Sequence, residues 1–316
     1  MNRFILPVLI IVAVVAVGSA GFLTYSHFST GSTSEEIPPV FTHLAQIGVV
    51  GAPPVIVILD TPLPKVPETL MAYRIVTPNV DDEYAAEIAK TLRFDGDLIP
   101  LRGFPGEKRE VYTYVKGAQR LEISMDGNIL LVLEEIPSKV LQIPSEQECI
   151  SLAAKWLEEH NAYPENIYSV DTRPYLTRDG KPLVIVVNFK TMVGDYGSSN
   201  GLSLVVGDGG EVYRVFISLP RSVPYAKVRL KSPEQALDVL RRYLADPNPI
   251  PPGQNECILS MRAFTTLTIK QVTLEYFPGG GYLQPTYVFK GDAYDEKVPG
   301  ATEMFIARVD GVDRGE

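Results

Sequence analysis

The sequence predicts an α+β fold, in which an N-terminal transmembrane helix precedes repeated modules that each combine a helix with an antiparallel sheet. One observation behind this prediction is an uncharged apolar segment from Phe4 to Tyr25. The other is a recurring order, in which a helix with a start signal is followed by alternating strands around Asp-Gly turns. The predicted parts are the cytoplasmic N-terminus with its membrane anchor (1–25), a polar stalk (26–40) and three α+β modules (41–143, 144–220 and 221–316).

The apolar segment from Phe4 to Tyr25 has the length and composition of a membrane-spanning signal anchor. As a helix it extends for about 33 Å, which matches the hydrocarbon core of a bilayer. Arg3 precedes it and no Lys or Arg follows until Lys65, so the positive-inside rule predicts a cytoplasmic N-terminus and an extracytoplasmic remainder. The alternative is a signal peptide that is cleaved after Ala20 and releases a secreted protein.

The region after the anchor has the composition of a tether. The segment from Ser26 to Pro39 consists mainly of small polar residues and ends in two prolines, a composition typical of a stalk rather than a packed element. The apolar residues from Val55 to Leu59 follow an interruption by glycine and proline and predict a short buried strand.

Three segments with amphipathic spacing begin with a residue whose side chain can cap a helix. Ser145 and Glu148 form the spacing of a capping box, and Pro233 occupies the first helical position after its cap. The predicted N-cap residues are Asn79 or Asp81 for the first helix, Ser145 for the second and Ser232 for the third.

Asp-Gly pairs recur within alternating apolar segments and predict three hairpins, because aspartate and glycine tolerate the positive φ of tight turns. The three Asp-Gly pairs begin at Asp126, Asp208 and Asp310. Their unequal spacings, 82 and 102 residues, indicate diverged module copies rather than a regular solenoid. Pro285 lies inside a predicted strand and indicates an edge position or a bulge, since proline cannot donate to the ladder.

Composition and motifs exclude several classes of function. The chain has 29 basic and 38 acidic residues and a net charge of −9, which argues against binding to nucleic acid. Two cysteines and three histidines do not support a zinc centre, and no catalytic or phosphate-binding motif is present, so we predict no cofactor. His160 is interpreted as a helix cap. The acidic clusters at Asp95–Asp97 and around Asp292 are interpreted as turns and solvated charge rather than cation sites.

Cys149 and Cys257 each follow a glutamate and precede an isoleucine. An exported compartment permits a disulfide between them, which would join the second and third modules. The alternative is a pair of buried thiols, since Cys149 lies on or beside the apolar face of a predicted helix.

Two glycine-rich segments predict hairpin connections, at 194–201 and 277–281. Neither follows a strand and opens a helix, so neither is expected to cradle phosphate. Tyr196 and Tyr282 lie near the tips of these hairpins and are predicted recognition residues, because loops held by a rigid scaffold often carry binding.

The last third of the chain resembles the PepSY-like and YycI/YycH-like group of bacterial extracytoplasmic proteins. The segments that carry the resemblance are Val223–Tyr225, Ser232–Ala236, Leu274–Phe277 and Tyr282–Gly291. It implies a helix-plus-antiparallel-sheet module behind an N-terminal anchor. It also implies a non-catalytic role, beside a sensor kinase or as an inhibitory or binding module for exported peptidases, and it offers no catalytic residues.

We therefore predict a membrane-tethered extracytoplasmic protein that is not an enzyme and that binds another protein or an envelope component. Its expected partners are the bilayer, through the N-terminal helix, and an envelope or membrane protein. The alternative is an envelope hydrolase with dispersed catalytic carboxylates, which requires a pocket with two convergent acids.

Overall fold

Strands dominate the computed structural model of this protein. It describes residues 55–100, 110–136, 142–176, 180–245, 257–260, 265–294 and 302–315, with side chains at all of these except 257–260 and 302–303. These residues all belong to one compact unit, Ile37–Glu316.

Three α-helices occur in this part of the chain, and their N-terminal caps explain where they begin. They are α1 (Asp82–Thr91), α2 (Glu146–Glu159) and α3 (Pro233–Ala245). Asp81 caps α1, Ser145 and Glu148 form a reciprocal capping box at α2, and the Ser232 hydroxyl accepts a hydrogen bond from the first turn of α3. The predicted starts of all three helices are confirmed.

The remaining regular structure consists of fifteen strands that join one mixed sheet in the described residues. The first six are β1 (Ile56–Leu59), β2 (Thr69–Val76), β3 (Asp97–Leu98), β4 (Val111–Lys116), β5 (Gln119–Ser124) and β6 (Ile129–Val132). The next five are β7 (Ile167–Leu176), β8 (Pro182–Val193), β9 (Tyr196–Val206), β10 (Val212–Ser218) and β11 (Arg221–Arg229). The last four are β12 (Cys257–Ser260), β13 (Thr266–Gly279), β14 (Tyr282–Tyr294) and β15 (Thr302–Asp310).

The longest path through the sheet runs β11-β2-β14-β13-β9-β10-β6-β5-β4-β3. Three branches leave this path: β1 pairs with β13, β15 and then β12 extend from β14, and β8 and then β7 extend from β9. Most pairs are antiparallel, whereas β1 and β9 each run parallel to β13. The β9–β13 ladder joins two residue pairs, Gly197 with Glu275 and Ser198 with Tyr276, and connects the two halves of the sheet.

The helices pack on one face of the sheet. Strand side chains alternate between the two faces, so only every second residue of a strand contacts the helices. One hydrophobic core joins α1 and α2 to strands that include β5, β8, β9 and β10. A second core joins α3 to β13, β14 and β15. The pairing of Ser198 with Tyr276 places the inward side chains of both halves on the same face. The opposite face is not used by either core.

The predicted α+β class with repeated modules is wrong. The structure is mostly β-sheet, and its strands form one sheet instead of a separate sheet for each module. β2, from the first predicted module, pairs with β11 and β14 of the third, and β10 of the second pairs with β6 of the first. Alternation and turn signals are local, so they predicted the strands without their long-range partners.

No helix among the described residues is long and apolar enough to cross a membrane. The predicted anchor from Phe4 to Tyr25 and the predicted stalk lie outside the described residues.

Two of the three predicted Asp-Gly hairpins are confirmed. The turns after Asp126 and Asp208 connect the antiparallel pairs β5–β6 and β9–β10. The third prediction is wrong, because after Asp310 the chain continues to a bridge between Val312 and Leu230. Pro285 also departs from its predicted edge position. It lies within β14, opposite Tyr276 of β13. On its other side it falls between the residues that pair with β2 and those that pair with β15, so its missing N–H interrupts neither of those two ladders.

Candidate functional site

A cleft of about 610 Å³ opens on the sheet face opposite the helices. Its lining comes from β7, β8, β9, β10, β13, β14 and β15, so it crosses the junction between the two halves of the sheet. This volume falls within the range of ligand-binding pockets, which extends from about 300 to 1,000 Å³.

Strand alternation explains why polar groups collect in this cleft. On β8, Val187 and Phe189 are buried against the first core, and the intervening Asn188 and the following Lys190 line the cleft. On β14, Phe289 is buried in the second core and Lys290 lines the cleft. The polar lining is therefore the outward side of strands whose inward side forms the two cores.

A buried carboxylate, Glu275, lies between two lysines at the centre of the cleft. Its residue is 5% exposed. The Nζ atom of Lys190 lies 3.9 Å from its Oε2, and the Nζ atom of Lys290 lies 3.8 Å from its Oε1. The hydroxyl of Thr273 donates a hydrogen bond to Oε1 at 2.9 Å. The Nζ atom of Lys190 also lies 3.6 Å from Oδ2 of Asp171, so Lys190 is placed between two carboxylates.

The local environment disfavours the charged forms of Lys290 and Arg308. Burial lowers the pKa of Lys290, and the neighbouring Lys190 ammonium lowers it further, while Glu275 opposes both effects. Burial also lowers the pKa of Arg308, which Glu275 partly offsets. An added anion would stabilise the charged forms of these side chains.

Arg308 stacks on an aromatic ring at one side of the cleft. Its guanidinium carbon lies 4.9 Å from the centre of the Phe277 ring, within the range of a cation–π contact. No oxygen of the described residues accepts a hydrogen bond from this guanidinium. The contact with Phe277 involves the ring face and uses none of the N–H donors, which stay available to a ligand.

A hydrogen-bonded row of side chains forms the other side of the cleft. The Asn188 amide donates to Asp171 at 2.9 Å, and the Ser203 hydroxyl donates to the Asn188 carbonyl at 2.7 Å. These residues are directly paired across β7, β8 and β9, so the sheet register holds the row in place. Two exposed apolar side chains also line the cleft, Phe216 (43% exposed) and Met304 (66% exposed).

The charge of the cleft is opposite in sign to that of the protein. Four basic side chains and two acidic ones line it, whereas the whole chain has a net charge of −9. The basic residues are Arg173, Lys190, Lys290 and Arg308, and the acidic residues are Asp171 and Glu275. This arrangement suits the binding of a ligand with a small negative charge.

No protein-family model and no curated protein matches the sequence. A solved structure, the Bacillus megaterium YpeB C-terminal domain, is similar to this chain at 15% sequence identity and a TM-score of 0.35. The match covers 72% of this chain and 98% of that one. At this TM-score the likeness carries no argument, and the PepSY-like resemblance stays a prediction.

The structure places Cys149 in the first core as a free, buried thiol. Its Sγ lies 3.7 Å from the carbonyl oxygen of Pro144, and burial raises the pKa of the thiol. Cys257 lies in β12, where its backbone pairs with Val309. The side chain of Cys257 lies outside the described side chains, and the disulfide between the two cysteines stays a hypothesis.

Tyr196 and Tyr282 lie at the starts of β9 and β14. The hairpin turns fall inside the two glycine-rich segments, at 194–195 and 280–281, and the other residues of these segments belong to β9 and β13. Tyr196 packs against the second core, and its ring centre lies 6.4 Å from that of Tyr276. The Tyr282 ring lies 4.7 Å from the Tyr225 ring. Both are half-buried and neither lines the cleft, so their role in recognition stays a prediction.

The other singled-out polar residues have structural partners. His160 follows α2 as its C-cap, stacks on Trp156 and lies 2.8 Å from the Trp156 carbonyl oxygen through Nδ1. Asp95 pairs with Lys116, and Asp292 pairs with Lys270. Where side chains are described, no group of three or more His, Cys, Asp or Glu is arranged to hold a metal ion.

Sequence reasoning missed the residues at the centre of the cleft. Lys190, Glu275, Lys290 and Arg308 each interrupt an apolar strand at an outward position, and this interruption is the signal available in the sequence. Alternation assigns each residue to a face of its own strand. It does not predict that β8, β13, β14 and β15 bring the four side chains to one place.

Proposed function

We propose that this protein is a non-catalytic binding protein and that the basic cleft is its ligand site. The cations surrounding Glu275 carry this proposal. Two lysine ammonium groups lie within 4 Å of one buried carboxylate, and Arg308 lines the same cleft. Several cations in a partly desolvated cleft repel one another unless anions neutralise them. A negatively charged ligand would supply further neutralising charge.

The contacts of the two acids in the cleft do not favour a hydrolase. Asp171 and Glu275 line the same pocket, which is the first requirement of that alternative. Both of them pair with Lys190, however, so they serve as counterions to a lysine. An ion-paired carboxylate is poorly suited to donate a proton to a leaving group.

The location and the partner of the protein are part of this proposal and rest on the sequence. Arg3 precedes the apolar residues from Phe4 to Tyr25 and no Lys or Arg follows them until Lys65, an order that favours export of the later residues. A partner in the cell envelope, with a regulatory role, follows from that location. Protease treatment of intact cells tests it, because export predicts digestion of the cleft-bearing region without lysis.

Site-directed photo-crosslinking in intact cells tests the ligand site. A photoreactive phenylalanine analogue replaces Phe216, which lines the cleft, in the full chain. The matched control replaces Met125, which is 39% exposed in the turn between β5 and β6 and lies outside the cleft lining. We expect a discrete adduct from position 216 and none from position 125.

A second comparison connects the adduct to the charges of the cleft. Replacing both Lys190→Gln and Lys290→Gln in the chain with the analogue at 216 is expected to remove the adduct. The proposal is wrong if position 216 gives no adduct, if both positions give the same one, or if the lysine substitutions leave it unchanged.

A further inference from the structure

The guanidinium of Arg308 has hydrogen-bond donors without acceptors among the described residues, and its carbon lies over the Phe277 ring, 4.9 Å from the ring centre. A carboxylate accepts two parallel hydrogen bonds from the edge of a guanidinium, and aromatic stacking leaves that edge available. Arg308 is paired with Val288 across the β14–β15 ladder, so the sheet fixes the position of its backbone. Arg308 therefore offers a carboxylate unshared donors on a side chain whose backbone is fixed by the sheet.

The lysines extend this set of donors toward the centre of the cleft. Lys290 lies on β14, the neighbouring strand, and like Lys190 it lies almost 4 Å from the nearest Glu275 oxygen. These separations are longer than those of a strong charge-assisted hydrogen bond, for which about 2.7–2.9 Å is usual. Both ammonium groups can therefore contact a second anion without first breaking a short ion pair.

The acids in the cleft limit how much negative charge a ligand can bring. Asp171 and Glu275 lie among the cations, and their repulsion grows with the charge density of the ligand. A carboxylate carries one negative charge, whereas a phosphate monoester carries nearly two at neutral pH. The excess of cations over acids in the lining is small, so separated carboxylates fit it better than phosphates.

Apolar side chains beside the cations favour a peptide over a small organic acid. Phe216 and Met304 are exposed, and Ile306 also lines the cleft on the strand that carries Arg308. These surfaces accommodate hydrophobic side chains next to the bound carboxylates. Polar groups in the row formed by Asp171, Asn188 and Ser203 can contact peptide N–H and C=O groups.

We infer that the cleft binds an acidic peptide segment in which carboxylates alternate with apolar side chains, and that Arg308 holds one of these carboxylates. The inference rests on the proposed function and names the chemical class of its ligand. It also assigns Glu275 an inhibitory contribution to affinity, because its charge competes with the ligand for Lys190 and Lys290.

Fluorescence anisotropy with the purified full chain tests this inference. The probe is a short, labelled peptide with blocked ends in which leucine and glutamate alternate, and the control peptide carries glutamine in place of glutamate. We expect the glutamate peptide to bind about tenfold more tightly or better, as charge-assisted hydrogen bonds predict. Equal affinity for the two peptides would overturn the inference.

Variants of the cleft separate a specific role of Arg308 from general charge. Arg308→Met is expected to weaken binding of the glutamate peptide about tenfold, and Arg308→Lys is expected to restore only part of the loss. The matched control is Arg221→Met, at an exposed arginine on β11 that lies outside the cleft lining, and it should leave the affinity unchanged. An equal loss from Arg221→Met would contradict the assignment.

Glu275→Gln is expected to increase the affinity for the peptide, a result that misfolding would not produce. Removing this charge frees the lysines, so the glutamate peptide is expected to bind severalfold more tightly. Unchanged or weaker binding by a folded Glu275→Gln protein contradicts the inference.

A competition experiment distinguishes an error in the chemical class of the ligand from an error in the location of the binding site. Inorganic pyrophosphate should displace the peptide poorly, and efficient displacement identifies a phosphate site and overturns the peptide assignment. That result leaves the proposed binding function intact if the crosslink at position 216 still forms. Loss of the crosslink as well contradicts the function itself.

Discussion

The buried carboxylate of Asp310 accepts hydrogen bonds from the guanidinium of Arg314, at 3.2 Å from Nε and 2.7 Å from Nη2. Asp310 also accepts the backbone N–H of Val312 at 3.0 Å. These contacts turn the chain after β15 and hold its last described residues against the sheet. The charge is therefore a structural element, separate from the cations of the cleft.

Asp310→Ala is expected to lower the free energy of unfolding by about 3 kcal/mol, because it removes the carboxylate partner of a mostly buried arginine. The control is Asp313→Ala, whose carboxylate lies 3.3 Å from the exposed Arg229 and should contribute about 1 kcal/mol or less. Urea unfolding of both variants measures the difference. Similar losses for the two would contradict a special role for Asp310.

Gly291 allows a close approach of β13 and β14 beside Lys290. A Cβ at this position would lie 1.9 Å from the carbonyl oxygen of Thr268, which is backbone and cannot rotate away. Gly291→Ala is expected to cost about 2 kcal/mol or more, through displacement of the strands. Gly117→Ala meets open space at a φ of +61° and should cost about 1 kcal/mol. The comparison uses denaturant unfolding, and a smaller loss at Gly291 would refute the predicted clash.

The capping box at α2 predicts a pH-dependent stability. Hydrogen bonds from the side chain and backbone of Ser145 lower the pKa of Glu148 below its ordinary value of 4.5. The charged form of Glu148 therefore stabilises the fold above about pH 4.5, and this contribution is lost as the pH falls through the lowered pKa. Ser145→Ala is expected to cost about 1 kcal/mol at neutral pH. The stability difference between the two proteins should narrow from pH 7 to pH 3, because the hydrogen bonds to the charged Glu148 are lost while the cap on its backbone N–H remains. A constant difference would exclude the linkage.

The lowered pKa of Lys290 predicts the alkaline limit of ligand binding. Burial and the neighbouring Lys190 lower this pKa from its ordinary value of 10.5, and an anionic ligand needs the protonated form. Affinity for the glutamate peptide should therefore fall as the pH rises through the lowered pKa, before 10.5 is reached. Lys290→Arg should move this fall to higher pH, because arginine keeps its charge there. Anisotropy titrations measure both, and an unshifted profile would show that Lys290 is not the titrating group.

The free thiol of Cys149 is expected to react slowly in the folded protein, since burial raises its pKa and excludes reagents. In a Cys257→Ser chain, which leaves Cys149 as its one cysteine, labelling by a disulfide reagent should be at least about tenfold slower than after denaturation. Comparable rates in the native and denatured states would contradict the burial of this thiol.

Local chemistry explains which parts of the fold could be predicted. Ser145 with Glu148 and Ser232 with Pro233 predicted helix starts, because a cap is formed by residues that are close in sequence. The turn after Asp126 predicted a hairpin for the same reason. Asp310 carries the same dipeptide signal, yet its side chain holds Arg314 and the chain bridges to Leu230 instead of turning back.

By itself the sequence determined the caps of the helices, most strand positions and the face on which each strand residue lies, since these depend on neighbours along the chain. The tertiary structure alone decided that the predicted modules share one sheet, and that Lys190, Glu275, Lys290 and Arg308 meet. Strand pairing over long separations depends on which apolar faces pack together, and an outward charge carries no information about its partner. The basic cleft of this acidic protein is therefore a product of strand order.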